Sequence, residues 1–184
     1  MNNVRANRFY FARENDEFKN LGNITQDIDE NLVQEDKNNL ATEEQNDTNK
    51  NLKSQSGISD NLIIYGHHIS SGKMFANLVN YRNYNYYKNH KYIKFSYLDG
   101  DVTKEDTYEI CFVFKTTANV GGFKFNYYTN LKDEVDYNNF VKTCRNLEFY
   151  NTGVETKHGD KFITLVTCEY SQKNGRMVVV GRKI

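Results

Sequence analysis

Residues 162–184 read FITLVTCEYSQKNGRMVVVGRKI, two β-rich runs parted by a short polar loop. Apolar, β-branched runs bounded by turn residues are strands. Ser171 to Gly175 supplies the turn, with Asn174-Gly175 suited to the positive φ that such loops need. A loop centred near Gln172 sets Cys168 directly opposite Arg176. Opposed residues in an antiparallel pair lie about 5 Å apart on one face of the sheet. A slip of one residue would send the two side chains to opposite faces, so the register is itself an expectation.

The chemistry starts from that pair. A thiol at a strand end beside a permanently charged guanidinium is a candidate nucleophile, because nearby positive charge favours the thiolate. Far upstream, Leu62-Ile63-Ile64-Tyr65 forms a short apolar run that ends in Gly66-His67-His68. It reads as a buried strand with imidazoles at its exit. Neighbours on extended backbone point to different sides, so at most one of His67 and His68 is expected to face the thiol. His90 and His158, in polar surroundings, read as hydrogen-bonded surface imidazoles. Glu169 is expected to face away from Cys168, and Glu109, Asp99 and Asp101 have no evident partner in the sequence.

Three cysteines, Cys111, Cys144 and Cys168, without C-x-x-C spacing argue against a disulfide framework and a structural zinc. Cys111 sits in the strand-like run Tyr108 to Lys115, and Cys144 on the apolar side of a helix-like run; both read as inert core residues. No phosphate-cradling glycine loop, H-E-x-x-H or paired-carboxylate pattern is present, and neither metal nor cofactor is expected. With 24 basic and 24 acidic residues the net charge is zero, which gives no pull toward nucleic acid or anionic lipid. No run approaches the roughly 20 apolar residues of a membrane span.

From about Glu30 to Asp60 the chain is almost wholly polar and cannot bury enough surface to offset its ordering entropy. Residues 30–60 read as a disordered insertion or linker. Before it, residues 1–29 hold only weak strand signals, around Phe9-Tyr10-Phe11 and Leu21 to Ile28. After it, residues 61–184 form the main domain. Ser70-Ser71-Gly72 offers cap chemistry for a helix to about Lys88, carrying Phe75, Leu78 and Val79 at helical spacing. Ile93, Phe95 and Tyr97 alternate in a strand, the turn Asp99-Gly100-Asp101 leads to the run from Tyr108 to Lys115, and Phe123, Phe125 and Tyr127 alternate in another. Tyr137, Phe140, Val141 and Cys144 make a helical stripe, with Asp136 available as its cap. Strands with two isolated helices favour a mostly antiparallel α+β domain, a β-barrel with two surface helices.

The segments Asn61 to His68, Gly72-Lys73-Met74-Phe75 and Asn89 to Phe95 resemble the class B sortases. So do Tyr150 to Val154, Thr164-Leu165-Val166-Thr167-Cys168-Glu169-Tyr170 and Gly175-Arg176-Met177-Val178-Val179-Val180. The resemblance implies a sortase-type barrel, a cysteine transpeptidase at the extracellular face of a Gram-positive membrane. It would cleave a sorting signal of the N-P-x-T-x kind after threonine and pass the new carboxyl end to an amine of the peptidoglycan cross-bridge. By motif, Cys168 is the nucleophile, His67 the general acid/base and Arg176 the oxyanion and substrate clamp; Val166 and Thr167 are the expected substrate contacts. Val166 stands where many members have serine. The family's usual anchor and its proline-containing N-terminal segment have no counterpart in this chain, so an incomplete N-terminal part of the barrel is expected. The alternatives are a barrel that only binds surface peptides, or a cysteine peptidase that hands its acyl group to water.

Overall fold

A computed structural model describes residues 6–13, 16–23, 59–99 and 102–184. The polar stretch 30–60 lies outside these residues apart from Ser59 and Asp60, and so does the tip of the 99–101 turn. Among the described residues seven strands form one sheet: β1 Ala6–Arg13, β2 Asp16–Asn23, β3 Asn61–Tyr65, β4 Tyr92–Asp99, β5 Val102–Thr117, β6 Phe162–Glu169 and β7 Gly175–Lys183. Their order across the sheet is β2-β1-β4-β5-β7-β6-β3. The pairings are antiparallel except the last, where β3 runs parallel to β6. The result is a curled mixed sheet, half a barrel.

Strand parity divides the core into two layers. Ile163, Leu165, Met177 and Val179 join Phe75, Leu78 and Tyr81 on one face. Phe162, Val166, Val178 and Val180 join Phe140 and Cys144 on the other. On β5 the register shifts between Ile110 and Phe112. One extra residue there reverses the alternation, so that Tyr108 and Ile110 serve the first layer while Phe112 and Phe114 serve the second.

The helices differ from the sequence expectation in instructive ways. In place of one helix capped at Ser70-Ser71-Gly72, a 3-10 helix spans Ala76–Arg82 and a short α-helix, α1, spans Tyr84–Lys88. Asn83 lies between them with extended backbone, and its side chain accepts from the Asn85 amide at 2.8 Å. An asparagine that binds its own neighbours competes with continued helix. The second helix, α2, covers Glu134–Leu147; Asp133 caps it by accepting from the Val135 and Asp136 amides. Asp136 stands instead in the first turn with Glu134, where negative charge suits the helix dipole. Tyr137, Phe140 and Cys144 are its buried face.

The segment 123–127 is not a strand. A 3-10 turn covers Phe125–Tyr127, and β5, the strand before it, already has β4 and β7 on its two edges. Phe123 and Phe125 pack into the second core layer, Phe125 5% exposed, with the Phe123 and Phe140 ring centroids 6.2 Å apart, whereas Tyr127 stays exposed.

Candidate active site

The β6–β7 ladder sets Cys168 opposite Arg176, the register that the loop length implies. Asn174 alone takes the positive φ, at 55°. Gly175 is required for a different reason: a Cβ there would stand 2.2 Å from the Glu169 carbonyl oxygen. Cys168 and Arg176 share the face of Val166 and Val178, but both are partly exposed where those valines are fully buried. They mark the point at which the second core layer gives way to solvent. Arg176 donates from Nη1 to the Gly175 carbonyl at 3.0 Å, a bond that uses one of its five N–H donors.

The histidines arrive from the other flank of β6. The parallel register runs from Asn61 opposite Phe162 to Tyr65 opposite Val166, and the Gly66 amide continues it by donating to the Val166 carbonyl at 2.9 Å. The same offset, carried past Gly66, would set His67 beside Cys168, but the paired strand ends at Tyr65. Gly66 is fixed by crowding, since a Cβ would meet the buried Phe75 ring at 2.4 Å. His67 is exposed, and its carbonyl accepts from the Phe75 amide at 3.0 Å. His68 diverges from it: Nδ1 lies 2.9 Å from the Cys168 carbonyl oxygen, and the ring packs on Tyr170 with centroids 5.1 Å apart. His90 Nδ1 bonds the Tyr86 carbonyl and His158 Nε2 the Lys132 carbonyl, so both act within their own surroundings.

Val166 and Thr167, the expected substrate contacts, present almost no surface of their own. Val166 has no exposed surface and Thr167 only 2%, because both are sandwiched in a central strand. Thr167 donates its hydroxyl to the Gly66 carbonyl at 2.7 Å and so ties the histidine turn to the cysteine strand from beneath.

Glu169 points to the opposite layer, where it is 3% exposed, paired with Arg82, and accepts from the Ser171 amide at 2.8 Å and hydroxyl at 2.7 Å. Burial pushes its carboxyl up, but the bonds from Ser171 and Arg82 outweigh that and hold it below the usual range. Cys111 and Cys144 are fully buried, and burial pushes both thiols up. Among the described residues no group of three His, Cys, Asp or Glu is placed to hold a metal ion.

Sequence reasoning missed the wall of the site. Tyr65, half exposed, lies with its ring centroid 6.2 Å from Phe125. The Phe123 amide donates at 2.9 Å to the hydroxyl of Thr116, the β5 residue opposite Arg176. The aromatic segment read as a strand is thus the shoulder beside the Cys168–Arg176 pair; its glycines, Gly121-Gly122, were the available sign that the chain turns there.

The sortase domain family matches residues 23–184. Sortase B of Staphylococcus aureus is 32% identical over 130 residues, which is 69% of this chain and 50% of that protein. Among solved structures, a Staphylococcus aureus sortase B–substrate complex superposes with a TM-score of 0.58 at 29% identity, covering 71% of this chain and 58% of that one. A sortase B complexed with triglycine does so with a TM-score of 0.56 at 31% identity, covering 68% and 56%. The chain belongs to the sortase family, and its relatives place it with class B. It spans about half the length of the Staphylococcus sortase B it matches.

Proposed function

We propose that this protein is a cysteine transpeptidase that cleaves a C-terminal sorting signal of the N-P-x-T-x type after threonine and transfers the carboxyl end to a cell-wall amine. The observation that carries the reading is the opposition of Cys168 and Arg176 at the solvent edge of the core, with the turn that bears His67 tied to the cysteine strand by the Thr167 hydroxyl on the Gly66 carbonyl. Cys168 Sγ attacks the threonine carbonyl, and Arg176 donates to the oxyanion that develops. His67 protonates the departing amine, leaving a thioacyl enzyme. An incoming amine then attacks the thioester, gives its proton to His67 and releases the joined product. In this reading residues 61–184 are the catalytic domain, 30–60 an insertion or linker and 1–29 a strand-bearing segment before it. The site of action is the outer face of the cell membrane. Among the described residues no helix is long and apolar enough to cross a membrane.

Support comes from the solved relatives, one a sortase B–substrate complex and one a sortase B complexed with triglycine. Intact-mass spectrometry tests the proposal. After incubation with an N-P-x-T-x peptide, Cys168 is expected to carry the acyl fragment ending in threonine, and added triglycine is expected to convert it to a peptide–glycine product. Cleavage that ignores added triglycine would favour the hydrolytic peptidase; peptide binding without any adduct would favour the binding module.

A further inference from the structure

We infer that His68 is a positioning residue whose imidazole replaces a missing rung of the β3–β6 ladder at the nucleophile. In a parallel ladder the amide of one strand binds alternate carbonyls of its neighbour. Gly66 N–H bonds Val166 O, so the next such rung would run from the His68 amide to Cys168 O. The backbone has left the sheet by then: His68 forms an isolated bridge with Met74, which holds a positive φ of 58°. The Cys168 carbonyl is taken instead by His68 Nδ1 at 2.9 Å. A carbonyl oxygen only accepts, so Nδ1 carries the proton and the neutral ring is the Nδ1–H tautomer.

Two further contacts hold His68 in place: Tyr170 packs on its ring, and the Tyr170 hydroxyl donates to its backbone carbonyl at 3.3 Å. His67 is therefore gripped on both sides. Thr167 binds the residue before it and Cys168 the residue after it. The turn can project the His67 ring toward solvent while its backbone stays stitched to the cysteine strand. His68 touches no reacting atom in this arrangement; it sets the distance between the acid/base and the thiol.

The inference rests on the transpeptidase reading, and its tests separate the two. In the full chain with an N-P-x-T-x peptide and triglycine, His68→Phe keeps the ring that packs on Tyr170 but loses the donor. It is expected to lower kcat about tenfold, the scale of one lost hydrogen bond, with KM changed less than about twofold. His68→Asn, whose side-chain amide offers a donor at nearly the same reach, is expected to stay within about threefold of wild type. Wild-type kcat in His68→Phe, or equal losses in both variants, would overturn the inference. Should either variant fail to fold, nitrogen-15 NMR of the unaltered protein decides: the Nδ1–H tautomer at His68 is expected, and an Nε2–H tautomer overturns it. An inactive wild type would defeat the transpeptidase reading while leaving that NMR result to judge the hydrogen bond.

Discussion

Arg176 stands directly across the β6–β7 ladder from Cys168, with Thr116 of β5 on its other side. A guanidinium in that position presents a planar fork of donors, which the single ammonium of lysine does not reproduce. Arg176→Ala is expected to lower turnover of an N-P-x-T-x peptide about a hundredfold or more, the usual loss for one oxyanion donor. Arg176→Lys is expected to recover little of it. A lysine variant of near-normal kcat would reduce the arginine to an ordinary strand-end charge.

The three thiols should part sharply in reactivity. Cys168 is partly exposed, whereas Cys111 and Cys144 are buried and have their thiols pushed up by burial. Under native conditions iodoacetamide is expected to label Cys168 and spare the other two, read by peptide mapping; all three should react in denaturant. Cys168→Ala is expected to abolish cleavage with an unchanged melting temperature. Equal native labelling of Cys144 would show that the α2 layer opens.

For the general acid/base, His67→Ala is expected to lower kcat by roughly 10²–10⁴-fold. The loss should exceed that of any His68 variant, because the His68 ring is engaged with the Cys168 backbone carbonyl while His67 is exposed and open to substrate. Steady-state kinetics of the two alanine variants side by side is the measurement, and a reversed ranking would reassign the catalytic role.

What the sequence disclosed and what it hid follow one physical line. The Cys168–Arg176 register was legible because a hairpin's loop fixes pairing locally, and the Tyr137, Phe140, Cys144 stripe because helix periodicity is local too. The parallel docking of β3 on β6 joins residues 101 apart, and no local pattern encodes it. The same holds for Arg82 meeting Glu169 and for the His68 bond to Cys168. The segment 123–127 misled because alternation requires a free strand edge to become a strand, and that depends on which edges the rest of the sheet has left open.

Phe140 is fully buried in the second core layer, against Phe123, Tyr128 and Phe162. Truncation there removes one of the rings, with Tyr137, that join α2 to the sheet. Phe140→Ala is expected to cost about 3–5 kcal/mol in urea unfolding. Phe140→Leu should cost clearly less, since most of the volume is kept. A loss under about 1 kcal/mol for the alanine variant would mean that the layer collapses around the gap.

Acid should weaken the fold through two buried carboxylates. Glu169 is held below its ordinary value of 4.5 by Ser171 and Arg82 against the upward push of burial. Asp60 is held below 3.8 by Lys161 and the Leu131 amide against the same push. A carboxyl lowered in the folded state binds its proton more weakly there than in the unfolded chain. Its stabilisation is thus fully present above the ordinary value and is lost as pH falls through the lowered folded value. Urea midpoints are expected to hold between about pH 7 and pH 5 and to decline below about pH 4. Glu169→Gln should lower stability at neutral pH by roughly 1.5–3 kcal/mol, because a charge-assisted bond is lost, and should flatten the acid decline. An unchanged acid slope in Glu169→Gln would place the titrating group elsewhere, with Asp60→Asn the next variant to measure.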